Sequence, residues 1–466
     1  MKRGILACFI VLFSCHTFAQ DTFDLSAVSH LGLDIVEIIT KDGEMPTCDF
    51  ADAPEGCMGA TCINQNKVPC RVIISHSGKT LYDSGDYEKG VSGATIRING
   101  NTSSFEDNKP YKIKLQKKAD LLNRNDDKYE DKNWRLLRDA TSLNTMIGLK
   151  VNELLDLPWT PAYKPCNVFL NNEYQGCYLL IESVERNSDC RLNVSKKTGY
   201  IVERDAYWWS EDHYFATPYF EPYKGYRWTW KYPDEDDVTQ EQQQYIQSYI
   251  NSAEQSIKDG TYEHYINVAS FARWLLAHDI LGTWDSGGSN LYVMKYDDTQ
   301  SSLLEMGNLW DFDTIMKMPE GDFSRYHDSS YDFYYQDLFS STNRHFTETY
   351  QQLWNEVKTT LREQLSAFIN TYIDSEEAKA LQLSRELHVQ RWNSEMRTVK
   401  EDADLALDWF NNHLQLLDEK ISHINTSIII HPTSEDHHKT YNLLGIETHS
   451  VGKGIYISQG RKYVVK

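Results

Sequence analysis

The hydrophobic repeat changes period near residue 240, and no other feature of the chain limits its fold so strongly. Before that point short apolar segments alternate with polar residues, as strands do when one face is buried. Residues 33–40, 71–75 and 94–98 read as strands by alternation and β-branching. In residues 111–115, Lys112 and Lys114 share one face while Tyr111, Ile113 and Leu115 share the other. A helix is predicted over 142–155, where Met146, Ile147, Val151, Leu154 and Leu155 recur at helical spacing and Pro158 stops it. Two strands, 167–170 and 177–182, are joined by a hairpin-type connection at 171–174, and an aromatic stretch of strands and loops fills 200–232. After the change of period, helices are predicted over 240–258, 269–281, 345–372 and 375–424, the last with a break. The final 30 residues return to short strands with glycine turns, which suggests a small separate β module.

The N-terminus reads as an export signal over residues 1–19. Lys2 and Arg3 precede an uncharged, largely apolar stretch, 4–15, and Thr17 and Ala19 supply small residues where a signal peptidase reads. That stretch is too short to anchor the chain across a bilayer, and no other segment approaches such a length. A lipoprotein anchored through Cys15 is the rival reading. The net charge of −21 leaves no basic field to attract nucleic acid or an anionic membrane. Of nine cysteines, Cys8 and Cys15 fall in the leader, and Cys48, Cys57, Cys62 and Cys70 cluster. In an exported chain this cluster predicts disulfides. The absence of Cys-x-x-Cys and of accompanying histidines argues against zinc. The pairing is left open, and the odd number after the leader leaves a thiol over.

The chemistry-bearing residues lie in the second half. Asp285 and Asn290 have Asp-x-x-x-x-Asn spacing between a predicted helix and the strand 291–294. In a phosphoryl-transfer loop of this form the aspartate orients the acceptor hydroxyl and the asparagine holds a metal ion. Asp311 follows a hydrophobic strand containing Leu303, Leu304 and Met306, where a carboxylate bridging magnesium to phosphates would stand, and Asp313 follows it. Each pattern alone is also an ordinary turn or loop start. Their joint occurrence with a strand between them carries the argument. Upstream, Lys112 or Lys114 could reach nucleotide phosphates with Glu153 as ion-pair partner, although both residue types also form plain solvated faces. The polar loop 99–103 could cover phosphates with N–H groups and hydroxyls. A glycan hydrolase using Asp311 and Asp313, or acidic residues within 232–238, as paired carboxylates has no further support.

Residues 96–103 (IRINGNTS), 109–115 (KPYKIKL), 133–137 (NWRLL) and 171–182 (NNEYQGCYLLIE) resemble the successive opening blocks of the spore-coat CotH kinase family. Residues 285–292 and 310–313 resemble its catalytic and metal-binding blocks, so the likeness runs in order over roughly 90–425. The resemblance implies an α+β, two-lobed, atypical protein-kinase-like fold with a β-rich N-lobe and a helical C-lobe. It implies transfer of the ATP γ-phosphate to protein serine or threonine with Mg2+. Carried over by position, Asp285 is catalytic, and Asn290 and Asp311, with Asp313, are the metal-binding positions. Lys112 or Lys114 binds phosphate, Arg97 and Asn101 belong to the nucleotide side, and Glu182 marks the start of the adenine-side hinge. This chain has Asn99 where the family commonly has arginine, and Asp313 where a kinase metal triplet ends in glycine. The last 30 residues resemble the C-terminal sorting domain of type IX secretion substrates. The implied organisation is a signal over 1–19, a cysteine-rich β extension over 20–90, the kinase-like domain over 91–430 and the sorting-like module over 437–466. Partners would be a protein substrate or, if the scaffold has lost turnover, a surface-assembly partner outside the cell.

Overall fold

The computed structural model describes residues 23–218, 225–234, 237–284, 289–327 and 333–424, together with strand residues 440–442, 454–458 and 461–465. The predicted signal, 1–19, lies outside the described residues. A short helix, α1 (Leu25–Ser29), begins at Asp24, whose carboxylate accepts the Ala27 N–H at 2.7 Å. Strand β1 (Asp34–Thr40) leads through a hairpin, β2 (Asp49–Asp52) and β3 (Ala60–Ile63), to β4 (Val68–His76) and β5 (Lys79–Asp83). Then come β6 (Ala94–Ile98), β7 (Tyr111–Ala119), β8 (Asp131–Leu137), α2 (Asn144–Leu154), β9 (Tyr163–Leu170) and β10 (Glu173–Glu182).

Seven of these strands form a ring in the order β1-β9-β10-β8-β7-β6-β4, and β4 pairs back onto β1. The β1–β9 pair is parallel and the other ring pairs are antiparallel. The barrel is filled by inward residues such as Val36, Val72, Ile96, Ile113, Trp134 and Val168. β10 is buried on both faces, with Tyr178 and Leu180 inside and Cys177, Leu179 and Ile181 packed on the helical half. This double burial is why it reads as an unbroken apolar run.

The mixture of α and β stands, but the expected kinase-like two-lobed fold with a β-sheet N-lobe does not: the N-terminal half is a closed barrel. Alternation along a strand fixes which face is buried, and it is the same in an open sheet and in a ring. Closure depends on β1 pairing with β4 on one side and β9 on the other, partners about 35 and 130 residues away in register. Ring closure also removes the two exposed edges an open sheet would present.

The second half is built on β11 (Tyr200–Asp205), β12 (Tyr214–Phe215) and β13 (Arg227–Tyr232), with helices α3 (Gln240–Asp259) and α4 (Val268–Leu281) and strands β14 (Leu291–Lys295) and β15 (Leu304–Met306). These strands form a sheet in the order β12-β13-β11-β14-β15. Helices α5 (Tyr335–Ser340), α6 (His345–Ile373), α7 (Glu376–Trp392) and α8 (Val399–Ser422) follow, giving eight α-helices among the described residues. The long helices fall where their periodicity predicts, and the break in the last is at Asn393, which takes a left-handed backbone (φ 47°). Thr239 and Gln242 cap α3 reciprocally and Gly260 ends it. Near the C-terminus, β16 (Thr440–Asn442), β17 (Gly454–Ser458) and β18 (Arg461–Val465) pair as an antiparallel three-stranded sheet. Among the described residues no helix is long and apolar enough to cross a membrane.

Candidate active site

Asn290 immediately precedes β14 and Asp311 follows β15, so the antiparallel pairing of these strands brings the two residues together. Both hold a left-handed backbone, φ 67° and 68°, which asparagine and aspartate tolerate better than most residues. Asn290 Nδ2 donates to Asp311 Oδ2 at 3.0 Å.

Two elements fix this pair. β11 supplies Glu203, whose Oε1 accepts the Asn290 N–H at 2.6 Å while Oε2 pairs with Lys231 at 2.7 Å. It also supplies Asp205, which accepts from Ser289 Oγ at 2.7 Å and from the Tyr207 N–H at 2.8 Å. Burial, reinforced by Glu203, pushes the Asp205 carboxyl up to about 7. α2 holds the other side: buried Asn152 accepts the Leu309 N–H at 2.8 Å. The Phe312 ring lies so close to Gly148 that a Cβ there would fall 2.0 Å from Phe312 Cδ1. Elsewhere in the helical half, Asp279 on α4 is fully buried, accepts from Ser324 N and Oγ and from the Tyr350 hydroxyl, and lies 2.8 Å from His327 Nε2. Burial alone would raise its carboxyl, but His327 and these donors together hold it below the usual range.

The pair lies in the wall of a cleft of about 690 Å3 between the barrel and the second half. Asp139 and Asp313 share this lining. Burial, then Asp313 and Asp139, raise the Asp311 carboxyl well above the carboxylate range, and burial leads the upward shift of Asp139 as well. Cations from Arg135, Arg138, Lys317 and Arg397 line the same cleft, as does the loop 99–103. Arg135 Nη1 donates to Asn99 Oδ1 at 3.2 Å and its guanidinium lies 5.4 Å from the Trp310 ring. Its Nε is buried without a hydrogen-bond partner, and so is Arg138 Nη1, which has only a long 3.7 Å ion pair to Glu106. Unsatisfied guanidinium donors beside converging carboxylates suit an anion that carries its own cation.

Of the residues singled out in the sequence, Asn101, Asn290, Asp311 and Asp313 line this cleft. Asp285 lies outside the described residues. Lys112, Lys114, Arg97 and Glu182 do not line it. Lys112 points out of the barrel and pairs with Glu185 at 3.0 Å, each side chain less than a fifth exposed. Burial pushes Lys112 down to about 8, against the pull of Glu185. Lys114 is exposed and Glu153 pairs with Lys150 rather than with either strand lysine. Arg97 stands in register with Lys112, and Lys112 with Arg135, on three adjacent strands; Arg97 bonds Gln65. Buried Glu182 is taken up by Arg124 at 2.9 Å and the Ala162 N–H at 2.9 Å.

Arg135, Arg138 and Asp139 went unremarked in the sequence, although Arg-x-x-Arg-Asp spans the end of β8 as a visible cluster. The signal for Glu203 and Asp205 is weaker: two acids flanking Arg204 at the end of a strand that begins Tyr-Ile-Val. Among the described residues no group of three or more His, Cys, Asp or Glu side chains is arranged to hold a metal ion. The cysteine expectation holds in part: Cys48 and Cys62 are bonded, while Cys57, Cys70, Cys166, Cys177 and Cys190 are free.

The Asn290–Asp311 pair and the guanidinium donors line one cleft, and the family match makes this a kinase-like protein. The chain matches the family model described as CotH kinase protein over residues 96–416, well over half its length, and belongs to that family. No curated protein matches it.

Proposed function

We propose that this chain is an exported CotH-type kinase that passes the γ-phosphate of ATP to serine or threonine of a protein acceptor, with magnesium. The observation that carries this is the Asn290–Asp311 pair facing Arg135 and Arg138 in one cleft. Magnesium fits the donor set: it takes hard oxygens, needs few from protein and draws the rest from phosphates and water. A carboxylate and a carboxamide side by side meet that need, and the like-charge crowding around Asp311 is what a divalent cation would relieve. Asn290 and Asp311 would hold the ion, with Asp313 at the mouth; when bound, the ion neutralises charge on the β- and γ-phosphates. Arg135 and Arg138 receive the phosphate oxygens, and Arg135 supplies the cation missing at Asn99. Asp285, five residues before Asn290, orients the acceptor hydroxyl and takes its proton. Export rests on the signal over 1–19, and surface sorting on the C-terminal strands; the domain limits at 90 and 430 belong to the same reading.

With γ-labelled ATP and magnesium, the protein should label itself or a Ser/Thr-containing acceptor, and Asp285→Ala should abolish labelling. Equal labelling by both proteins would contradict the assignment of Asp285.

A further inference from the structure

The hairpin β2–β3 precedes the region matched by the family and stands over the cleft. Cys48 and Cys62 tie its ends. Met58 and Gly59, in its turn, line the same cleft as Asn290 and Asp311. On the barrel side, Thr61 is buried and its Oγ1 donates to Asn101 Oδ1 at 2.7 Å, while the Phe50 ring packs tilted against Phe105 with ring centres 4.3 Å apart. Asn101 lies within the polar loop 99–103, whose Asn99 bonds Arg135, and Phe105 follows that loop. On the far side, Trp209 Nε1 donates to the Met58 carbonyl at 3.2 Å. Gly59 is pressed against Tyr207: a Cβ would fall 2.6 Å from its ring, and Gly59 takes a φ of 81° that favours glycine in any case. The hairpin therefore bridges the two halves across the cleft mouth.

We propose that this hairpin is the roof of the nucleotide site and that Thr61 is a positioning residue, holding Asn101 so that residues 100–103 present their N–H groups to the phosphates. The proposal rests on the nucleotide reading above. Its logic is preorganisation: a loop ordered before binding costs the ligand less to engage. The Thr61 hydroxyl reaches Asn101 only while the hairpin lies against the barrel, and the Cys48–Cys62 bond holds the two arms of the hairpin together at its base.

Three variants of the full chain test this: Thr61→Val, which keeps the shape and loses the hydroxyl; Thr61→Ser, which restores it; and Cys48→Ser combined with Cys62→Ser. Hydrogen exchange at residues 101–105 is read in the free proteins, and Kd for ATP with magnesium by calorimetry. Thr61→Val should speed exchange there and weaken ATP binding about fivefold, the worth of one hydrogen bond. Thr61→Ser should recover both, and the double serine variant should lose at least as much as Thr61→Val. If exchange and Kd in Thr61→Val match wild type, the hairpin proposal fails while the nucleotide reading stands. If exchange changes but wild type binds no ATP, the nucleotide reading fails and takes the roof's role with it.

Discussion

At the scale of single residues, burial and pairing sort groups that the sequence presents alike. Lys112 and Lys114 occupy equivalent positions in a strictly alternating strand, yet Lys112 is held against Glu185 in a desolvated pair and Lys114 is in solvent. Removing one member of a buried pair leaves the other charge uncompensated, at a cost of roughly 3 kcal/mol, whereas exposed positions change stability by about 0.5 kcal/mol or less. Lys112→Ala should therefore lower the denaturant midpoint markedly and Lys114→Ala leave it in place. Equal midpoints would contradict the pairing. The sequence separated these two lysines from neither each other nor the cleft, because the partner of Lys112 comes from a segment 73 residues away. Asn290 and Asp311, which meet in the cleft, could be singled out because each sits in a short local pattern. Arg135 and Arg138 were not: a strand's alternation reveals which face a side chain takes, but not that the face borders a cleft.

At the scale of elements, the contact between α7 and β10 joins the helical half to the barrel. His388 on α7 accepts the Cys177 N–H through Nδ1 at 3.2 Å, and its Nε2 lies 3.4 Å from the Asn108 carboxamide. Burial, then Arg138 and Arg385, push His388 down to about 4; burial pushes His278 on α4 down to about 3. An unfolded histidine titrates near 6.5. Below that pH the unfolded chain takes up protons that the folded protein refuses, so stability is full above about 6.5 and falls as pH drops toward 4. Each histidine contributes about 1.4 kcal/mol per pH unit in that window. Raised carboxyls such as Asp205 and Asp311 act with the opposite sign, so the histidine is read by difference: across pH 7, 6 and 5 the urea midpoint of wild type should fall relative to that of His388→Gln. Identical slopes would show that His388 is not held neutral. Helices of this half were readable from their period, since an apolar stripe on a 20-residue helix is a local property. The docking histidine was not, because a lone histidine on a helix carries no record of what it packs against.

At the scale of the whole molecule, the site is a product of two halves that meet. β14 and β15 bring Asn290 and Asp311 together, α2 holds the flanking Leu309 and Phe312 through Asn152 and Gly148, and β8 of the barrel delivers Arg135 with Arg138 just beyond it. The barrel's closure could not be read from the strands, because alternation is indifferent to whether the first strand meets the last. The order of blocks identified the family nonetheless, and the cleft falls between the half those blocks begin and the half they end. The central claim is that this cleft takes a magnesium-bound nucleotide triphosphate through Asn290 and Asp311. A ligand that binds only the folded state raises the melting temperature, about 2.7 kcal/mol of stabilisation at 100 times Kd. Thermal melts of wild type and Asp311→Ala, each with ATP, magnesium, both or neither, test it directly. The account predicts a rise for wild type with ATP and magnesium together, and none for Asp311→Ala, whose own melt without ligand stays cooperative. An equal rise in both proteins, or none in wild type, would contradict it.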